Sequence, residues 1–266
     1  MIIDIHTHIF TDSLAPRAKQ ALLEAAHGEY TPLHDMTRAS LLEYMDKAGV
    51  DISVVQPIVT KRHQFEKINE WAISLTSDRL ISFAGMWPHT DDWKEQIDII
   101  SSMGFKGIKY HCEYQDFVID DKKMLPIYDY AFSKGLILLF HAGYDPAFKA
   151  PFRSNPEKFA SIARELKGGI IIAAHLGGCR QWDSVAQNYA GLDNMYIDTS
   201  MGMKDYPHET FLEIVNAIGA DHVLFGSDSP WSDAVEEIRI LNSLPLSDEQ
   251  KELILSGNAR RLLNIQ

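Results

Sequence analysis

The feature that most constrains this chain is an alternation running its whole length. Short apolar runs rich in β-branched residues return between longer amphipathic stretches. Eight such runs read as strands: residues 2–8, 52–58, 81–87, 105–111, 136–142, 170–175, 195–199 and 222–227. Two are almost unbroken, Leu136-Ile137-Leu138-Leu139-Phe140 and Ile170-Ile171-Ile172-Ala173-Ala174. Strands buried on both faces look like this, as in a parallel sheet covered by helices.

Helix signals fill the intervals. Thr37 is placed to cap a helix that Gly49 stops, and Gly104 and Gly135 end two more. Asn155 precedes Pro156 at a further helix start, residues 181–189 and 208–217 read as two more helices, and 234–244 as another. Ser247-Asp248-Glu249-Gln250 resembles a capping box opening a last helix over 247–263. Eight strands alternating with helices predict an α/β chain folded as one (β/α)8 TIM barrel with a C-terminal helix, a single domain over 1–266. The length of 266 residues suits such a barrel, typically about 250. The rival, an open doubly wound sheet, normally carries a glycine-rich phosphate turn after an early strand. Here the first strand ends in His6-Thr7-His8. The one long connection, 9–36, is placed to form a lid over the barrel mouth.

In a barrel of this kind the active site gathers at the C-terminal strand ends. Five of the eleven histidines close a strand: His6, His8, His111, His141 and His175; Asp228 closes the last one. Residues two apart on a strand share a face, so His6 and His8 can reach one ion together. Imidazole with carboxylate suits zinc, and also manganese, iron or nickel. Lys109 and His111 share inward parity on the fourth strand and are expected to bind an anionic end of a substrate. Glu113 and Gln115 follow in the loop, within expected reach of that substrate, and Trp231 is expected as a pocket wall. His222 starts the last strand, at the stability face; His89 is weighed as a rim residue and set aside; parity turns Cys112 away from the site.

Five segments carry a family resemblance: Asp4-Ile5-His6-Thr7-His8, Gly107-Ile108-Lys109-Tyr110-His111, His141-Ala142-Gly143, Ala174-His175-Leu176-Gly177-Gly178 and Phe225-Gly226-Ser227-Asp228-Ser229-Pro230-Trp231. With the tail Gly257-Asn258-Ala259-Arg260-Arg261-Leu262-Leu263, the chain resembles the amidohydrolase superfamily, in its amidohydrolase-2 branch of small metal-dependent hydrolases and decarboxylases. The resemblance implies metal ligation by His6, His8, His141 and Asp228, with His175 facing the reacting group. It also raises a carboxylated Lys109 bridging two ions. Deaminase relatives carry a glutamate three residues after the strand-five histidine; here that residue is Tyr144.

The function expected first is metal-dependent hydrolysis of a C–N or C–O bond in a small carboxylated substrate, with Asp228 and His175 catalytic. The alternative is a metal-dependent lyase, a decarboxylase or hydratase of an aromatic or unsaturated acid. A non-catalytic binding protein on a degenerate barrel would show gaps in the ligand set, and none is seen. The cofactor expected is a divalent metal, zinc first, with manganese, iron or nickel as alternatives. A net charge of -12 with no Lys/Arg cluster argues against nucleic acid and anionic membranes as partners. A small-molecule substrate is the partner expected, with a homodimer as a base-rate expectation. Two cysteines are too few for a disulfide scaffold. No signal-peptide pattern or spanning run is read, so a cytoplasmic place is expected.

Overall fold

The computed structural model describes residues 1–265. Nine strands follow in chain order: β1 Ile3–Thr7, β2 Ile52–Val55, β3 Leu80–Ser82, β4 Ala84–Gly85, β5 Gly107–Tyr110, β6 Ile137–Phe140, β7 Ile171–Ala173, β8 Met195–Asp198 and β9 Val223–Leu224. All pairings are parallel and join neighbours in sequence. There are nine rather than eight because the third expected strand breaks at Phe83: β3 pairs only with β2, and β4 only with β5. The other side is joined by loop backbone. Ile5 N–H donates to the Phe225 carbonyl at 2.9 Å, Asp228 N–H to that of His6 at 2.8 Å, and His8 N–H to that of Ser229 at 2.7 Å. The architecture is a TIM barrel.

Alternation along each strand feeds two cores, which is why the runs are apolar throughout. Ile3, Ile5, Val54, Phe83, Ile137, Leu139, Ile172 and Leu224 fill the barrel, and Ala259 and Leu263 of helix Asn258–Leu263 join them. Leu138, Phe140, Ile108, Tyr110, Ile171 and Ala173 face the outer helices instead. Apolar packing therefore fills the barrel, with Ala259 and Leu263 of the C-terminal helix against it, while polar residues collect at the C-terminal strand ends.

The local signals act as read. Thr37 and Ser40 form a reciprocal capping box, and Gly49 ends that helix at φ 71°. Asn155 accepts from Lys158 N–H with Pro156 in the first turn, and Ser247 and Gln250 cap each other's backbone. Two helices differ from expectation. Residues 181–189 form a 3-10 turn, Trp182–Ser184, and a short helix Val185–Tyr189. The last helix is interrupted by a π turn, Leu253–Gly257, whose Ile254 carbonyl accepts from Phe225 N–H at 2.8 Å. The 9–36 connection carries helix Ala15–Ala25. Among the described residues no helix is long and apolar enough to cross a membrane.

Candidate metal centre

The site begins with an irregularity in β1. Asp4 pairs with Ser53 but Thr7 with Val55, so three steps on β1 oppose two on β2. Such a bulge reverses the alternation beyond it. Ile3 and Ile5 fill the barrel, yet His6 and His8 also face inward, into the cavity at the rim. Asp4 holds the bulge. Its carboxylate accepts from His6 N–H at 3.1 Å, Ser227 N–H at 3.0 Å and the Ser227 hydroxyl at 2.5 Å. Burial pushes the Asp4 carboxyl up to about 7, with these hydrogen bonds opposing.

Across β1 from that staple, three ligand atoms meet. His6 Nε2 lies 3.1 Å from His8 Nε2 and 3.2 Å from Asp228 Oδ1, and His8 Nε2 lies 3.0 Å from the same oxygen. His6 gives its Nδ1 proton to Asp198 Oδ2 at 2.8 Å, and His8 gives its own to the Gln56 carbonyl at 2.9 Å. Neither acceptor can donate, so in the neutral rings, the form that ligates a metal, both Nε2 atoms carry lone pairs. Three acceptor atoms crowd together, with the Lys109 amine 2.9 Å from His6 Nε2 as a donor beside them. A cation resolves that repulsion. Donors about 2.1 Å from one ion, at near-right angles to each other, stand about 3 Å apart. The donor set therefore fits a divalent metal. His141 Nε2 is buried on the same cavity with no hydrogen-bond partner. Its ring, however, groups most closely with His111 and Asp145, not with the triangle.

Two site residues adopt strained backbone. His175 and Asp228 both have φ 59°, a region costing a non-glycine residue about 1–3 kcal/mol. Strain of this kind persists where the surroundings impose it, as they do here: His175 N–H bonds Asp198 Oδ1 at 2.9 Å, and Asp228 N–H bonds the His6 carbonyl.

A cavity of about 150 Å3 opens over the centre, close to the space that admits one benzene ring in an apolar protein interior. Its floor carries His6, His8, Lys109, His141, His175 and Asp228; Phe10, Leu22, Tyr30, Ile58, Met201 and Trp231 wall it. The 9–36 connection thus covers the mouth, supplying Phe10, Leu22, Ala25, Ala26 and Tyr30. A clasp fastens it: Glu29 accepts from the Tyr144 hydroxyl at 2.5 Å and from Arg180 at 2.6 Å, and Arg180 lies 3.9 Å over the Tyr144 ring.

Burial shifts the cluster towards neutrality. His6, His111, His141 and His175 are pushed well below the usual histidine range, chiefly by desolvation, and neutral imidazole is the ligating form. Desolvation brings Lys109 down to about 8; its amine donates to His6 Nε2 at 2.9 Å. Burial alone would raise the Asp228 carboxyl, but His6, His8 and Lys109 outweigh it and hold it below the carboxylate range.

Of the residues singled out in the sequence, His6, His8, Lys109, His111, His141, His175, Asp228 and Trp231 all line this cavity. Glu113 does not. It lies behind His111, 3.9 Å from Nδ1, and accepts from Arg153 N–H at 2.8 Å. Gln115 is used up by the Val59 and Met86 carbonyls and His111 N–H. His89 bonds the Gln115 carbonyl and His222 stacks on Tyr196, away from the site. The sequence reading passed over Asp145, which bonds His111 Nε2 at 3.1 Å in the cavity wall, and the buried Asp198 and Ser200 beneath His6 and His175. A carboxylate inside the apolar run Met195-Tyr196-Ile197-Asp198 was the available signal.

The family profile described as Amidohydrolase matches residues 3–265. Among solved structures, an uncharacterized TIM-barrel protein from Bordetella bronchiseptica superposes with TM-score 0.79 at 18% identity, over 99% of this chain and 98% of its own. The 5-carboxyvanillate decarboxylase of Novosphingobium aromaticivorans, solved with manganese, gives 0.75 at 14% identity, over 100% of this chain and 96% of its own. A putative 2-pyrone-4,6-dicarboxylic acid hydrolase from Pseudomonas putida gives 0.67 at 14% identity, over 99% and 97%. At these identities the likeness is one of fold. A search of curated protein sequences finds no match.

Proposed function

This chain belongs to the amidohydrolase family, and on that premise we propose that it is a metal-dependent lyase removing CO2 from an aromatic or unsaturated carboxylic acid. The carrying observation is the cavity: ring-sized, walled mainly by apolar and aromatic side chains, and floored by the lone-pair triangle beside one buried cation, Lys109. This reverses the order of the two reactions expected from the sequence. The pocket's size and apolar walls favour a ring-bearing or unsaturated acid, information that the ligand residues alone do not carry. The decarboxylase among the similar folds is in keeping with it.

His6, His8 and Asp228, with His141, would hold one divalent ion; manganese and zinc both suit this nitrogen and oxygen set. When bound, the ion would polarise the substrate's oxygens and stabilise negative charge developing on the carbon that loses CO2. The apolar walls orient the ring and exclude bulk water. Lys109 offsets the carboxylate's charge. Asp228, held as a carboxylate at rest, first takes a proton from solvent; as the C–C bond breaks, its electron pair stays on the carbon that loses CO2, and Asp228 passes that proton to it. That transfer is assigned to Asp228 because His175 Nε2 is already paired with His141 Nδ1 at 2.9 Å. The second reading, hydrolysis of a lactone, ester or amide, draws on the same carboxylate, which could equally take a proton from attacking water.

The test reloads metal-stripped protein with Mn2+ or Zn2+ and screens hydroxybenzoic and enoic acids for CO2 release, with lactones, esters and amides in parallel. CO2 without hydrolysis is expected. Hydrolysis without CO2 would replace the lyase reading with the second one, and full metal loading with no turnover of either kind would point to a binding protein.

A further inference from the structure

We infer that a single buried carboxylate, Asp198, acting directly on His6 and through Ser200 on His175 and His141, sets which nitrogen of each ring is left without a proton, the bare Nε2 of His6 and of His141 being the ones that face the cavity. The inference rests on the metal reading above.

Asp198 sits at the end of β8, fully buried. Its Oδ2 accepts the Nδ1 proton of His6 at 2.8 Å, which leaves His6 Nε2 bare. Its Oδ1 accepts from the backbone N–H of His175 at 2.9 Å and of Ser200 at 3.1 Å, and from the Ser200 hydroxyl. Ser200 has only one proton, and it lies on Asp198. Ser200 Oγ must therefore accept from His175 Nδ1, 2.9 Å away. His175 Nε2 is then bare and accepts from His141 Nδ1 at 2.9 Å. That leaves the proton-free nitrogen of His141 at Nε2, the atom found buried without a partner. One carboxylate thus fixes tautomers on rings from three strand ends, and the chain of donors runs in one direction throughout. A hydrogen-bonded second partner of this kind orients a metal-binding histidine and strengthens its basicity.

Asp198→Asn separates this role from a structural one. The asparagine oxygen can still accept the His175 and Ser200 donors, so the loop after β7 stays pinned. Its NH2 group takes the place of Oδ2 and can only donate. His6 Nδ1 then loses its carboxylate acceptor and keeps only the longer Ser200 Oγ contact at 3.2 Å; accepting from the amide moves its proton to Nε2, where the ion would sit. Asp198 and Ser200 are positioning residues: neither lines the cavity.

The experiment titrates Zn2+ and Mn2+ into metal-stripped full-length wild type and Asp198→Asn. It also records metal-free melting temperatures and histidine 15N shifts, which report the tautomer directly. The expected result is metal affinity 10–100-fold weaker in the variant, an unchanged metal-free melting temperature, and His6 moved to the Nε2-protonated form. Equal affinity overturns the inference. So does weaker affinity with a matching loss of metal-free stability and unmoved ring shifts, since that is general disruption. Wild type binding neither ion would overturn the metal reading itself. Should Asp198→Asn not fold, Ser200→Ala carries the test: it deletes only the hydroxyl, and about 10-fold weaker binding with altered His175 and His141 shifts is expected, unaltered shifts refuting the relay.

Discussion

Replacing Gly143 by alanine should damage stability and catalysis together, for a reason visible in the backbone. Gly143 lies two residues beyond His141 at φ 83°, bridged to Cys179. An added Cβ would stand 2.5 Å from both Cys179 N and Cys179 O, and 2.8 Å from Gly178 C. These are backbone atoms fixed by Cys179 N–H to the Ala142 carbonyl at 2.8 Å and Tyr144 N–H to the Cys179 carbonyl at 3.0 Å. Restoring ordinary contact, near ~3.5 Å, means parting the two segments by about 1 Å. Overpacking costs about 1–3 kcal/mol, and the left-handed conformation about 1–2 kcal/mol. A loss of roughly 2–5 kcal/mol lowers the melting temperature of a chain this long by about 4–10 °C. A displacement of about 1 Å at His141 and Tyr144 lowers turnover about 100-fold. Gly135→Ala is the control: φ is 74°, but nothing lies within 4 Å of its added Cβ, so only the conformational cost of about 1–2 kcal/mol applies. Calorimetry and initial rates on both variants check this. Equal melting temperatures for the two would refute the steric argument.

Three further outcomes follow from the same structure. Glu237 is buried, accepts from Met203 N–H and Ser232, and desolvation raises it from 4.5 to about 7. Its contribution is fully present below pH 4.5 and is lost as pH rises through 7, roughly 3 kcal/mol in all; Glu237→Gln should flatten that part of the melting profile, and an unchanged slope would assign it elsewhere. Divalent metal at a hundred times its dissociation constant should add ~2.7 kcal/mol, a rise of about 5 °C. His6→Ala/His8→Ala should abolish that rise, which differential scanning fluorimetry reads. Glu29→Gln should loosen the clasp on the 9–36 connection, speeding amide exchange over residues 26–36 while costing under about 1 kcal/mol globally; unchanged exchange there would show that the clasp does not hold the connection.

The barrel was legible because its strands are apolar on both faces, and the pairing of His6 with His8 because positions two apart share a face. The bulge that turns that pair inward left no mark in the sequence. Ile3 and Ile5 already claim the inward parity, and only the extra residue against β2, with Asp4 holding its freed N–H, reconciles them. The break at Phe83 was hidden for a similar reason: an inward aromatic looks the same in a continuous strand as at a switch between partners. Parity serves less well past a strand end. Glu113, two residues beyond the inward His111, lies behind it, because the loop bends and His111 N–H is taken by Gln115. Asp145 could not be placed, since loop geometry decides whether it meets His111.

The most direct test of the account is anomalous diffraction from crystals of the full chain equilibrated with Mn2+ or Zn2+. One strong peak is expected within about 2.0–2.3 Å of His6 Nε2, His8 Nε2 and Asp228 Oδ1, with His141 Nε2 turned towards it. No peak at that triangle, with Lys109 alone satisfying the lone pairs of His6 and Asp228, would contradict it.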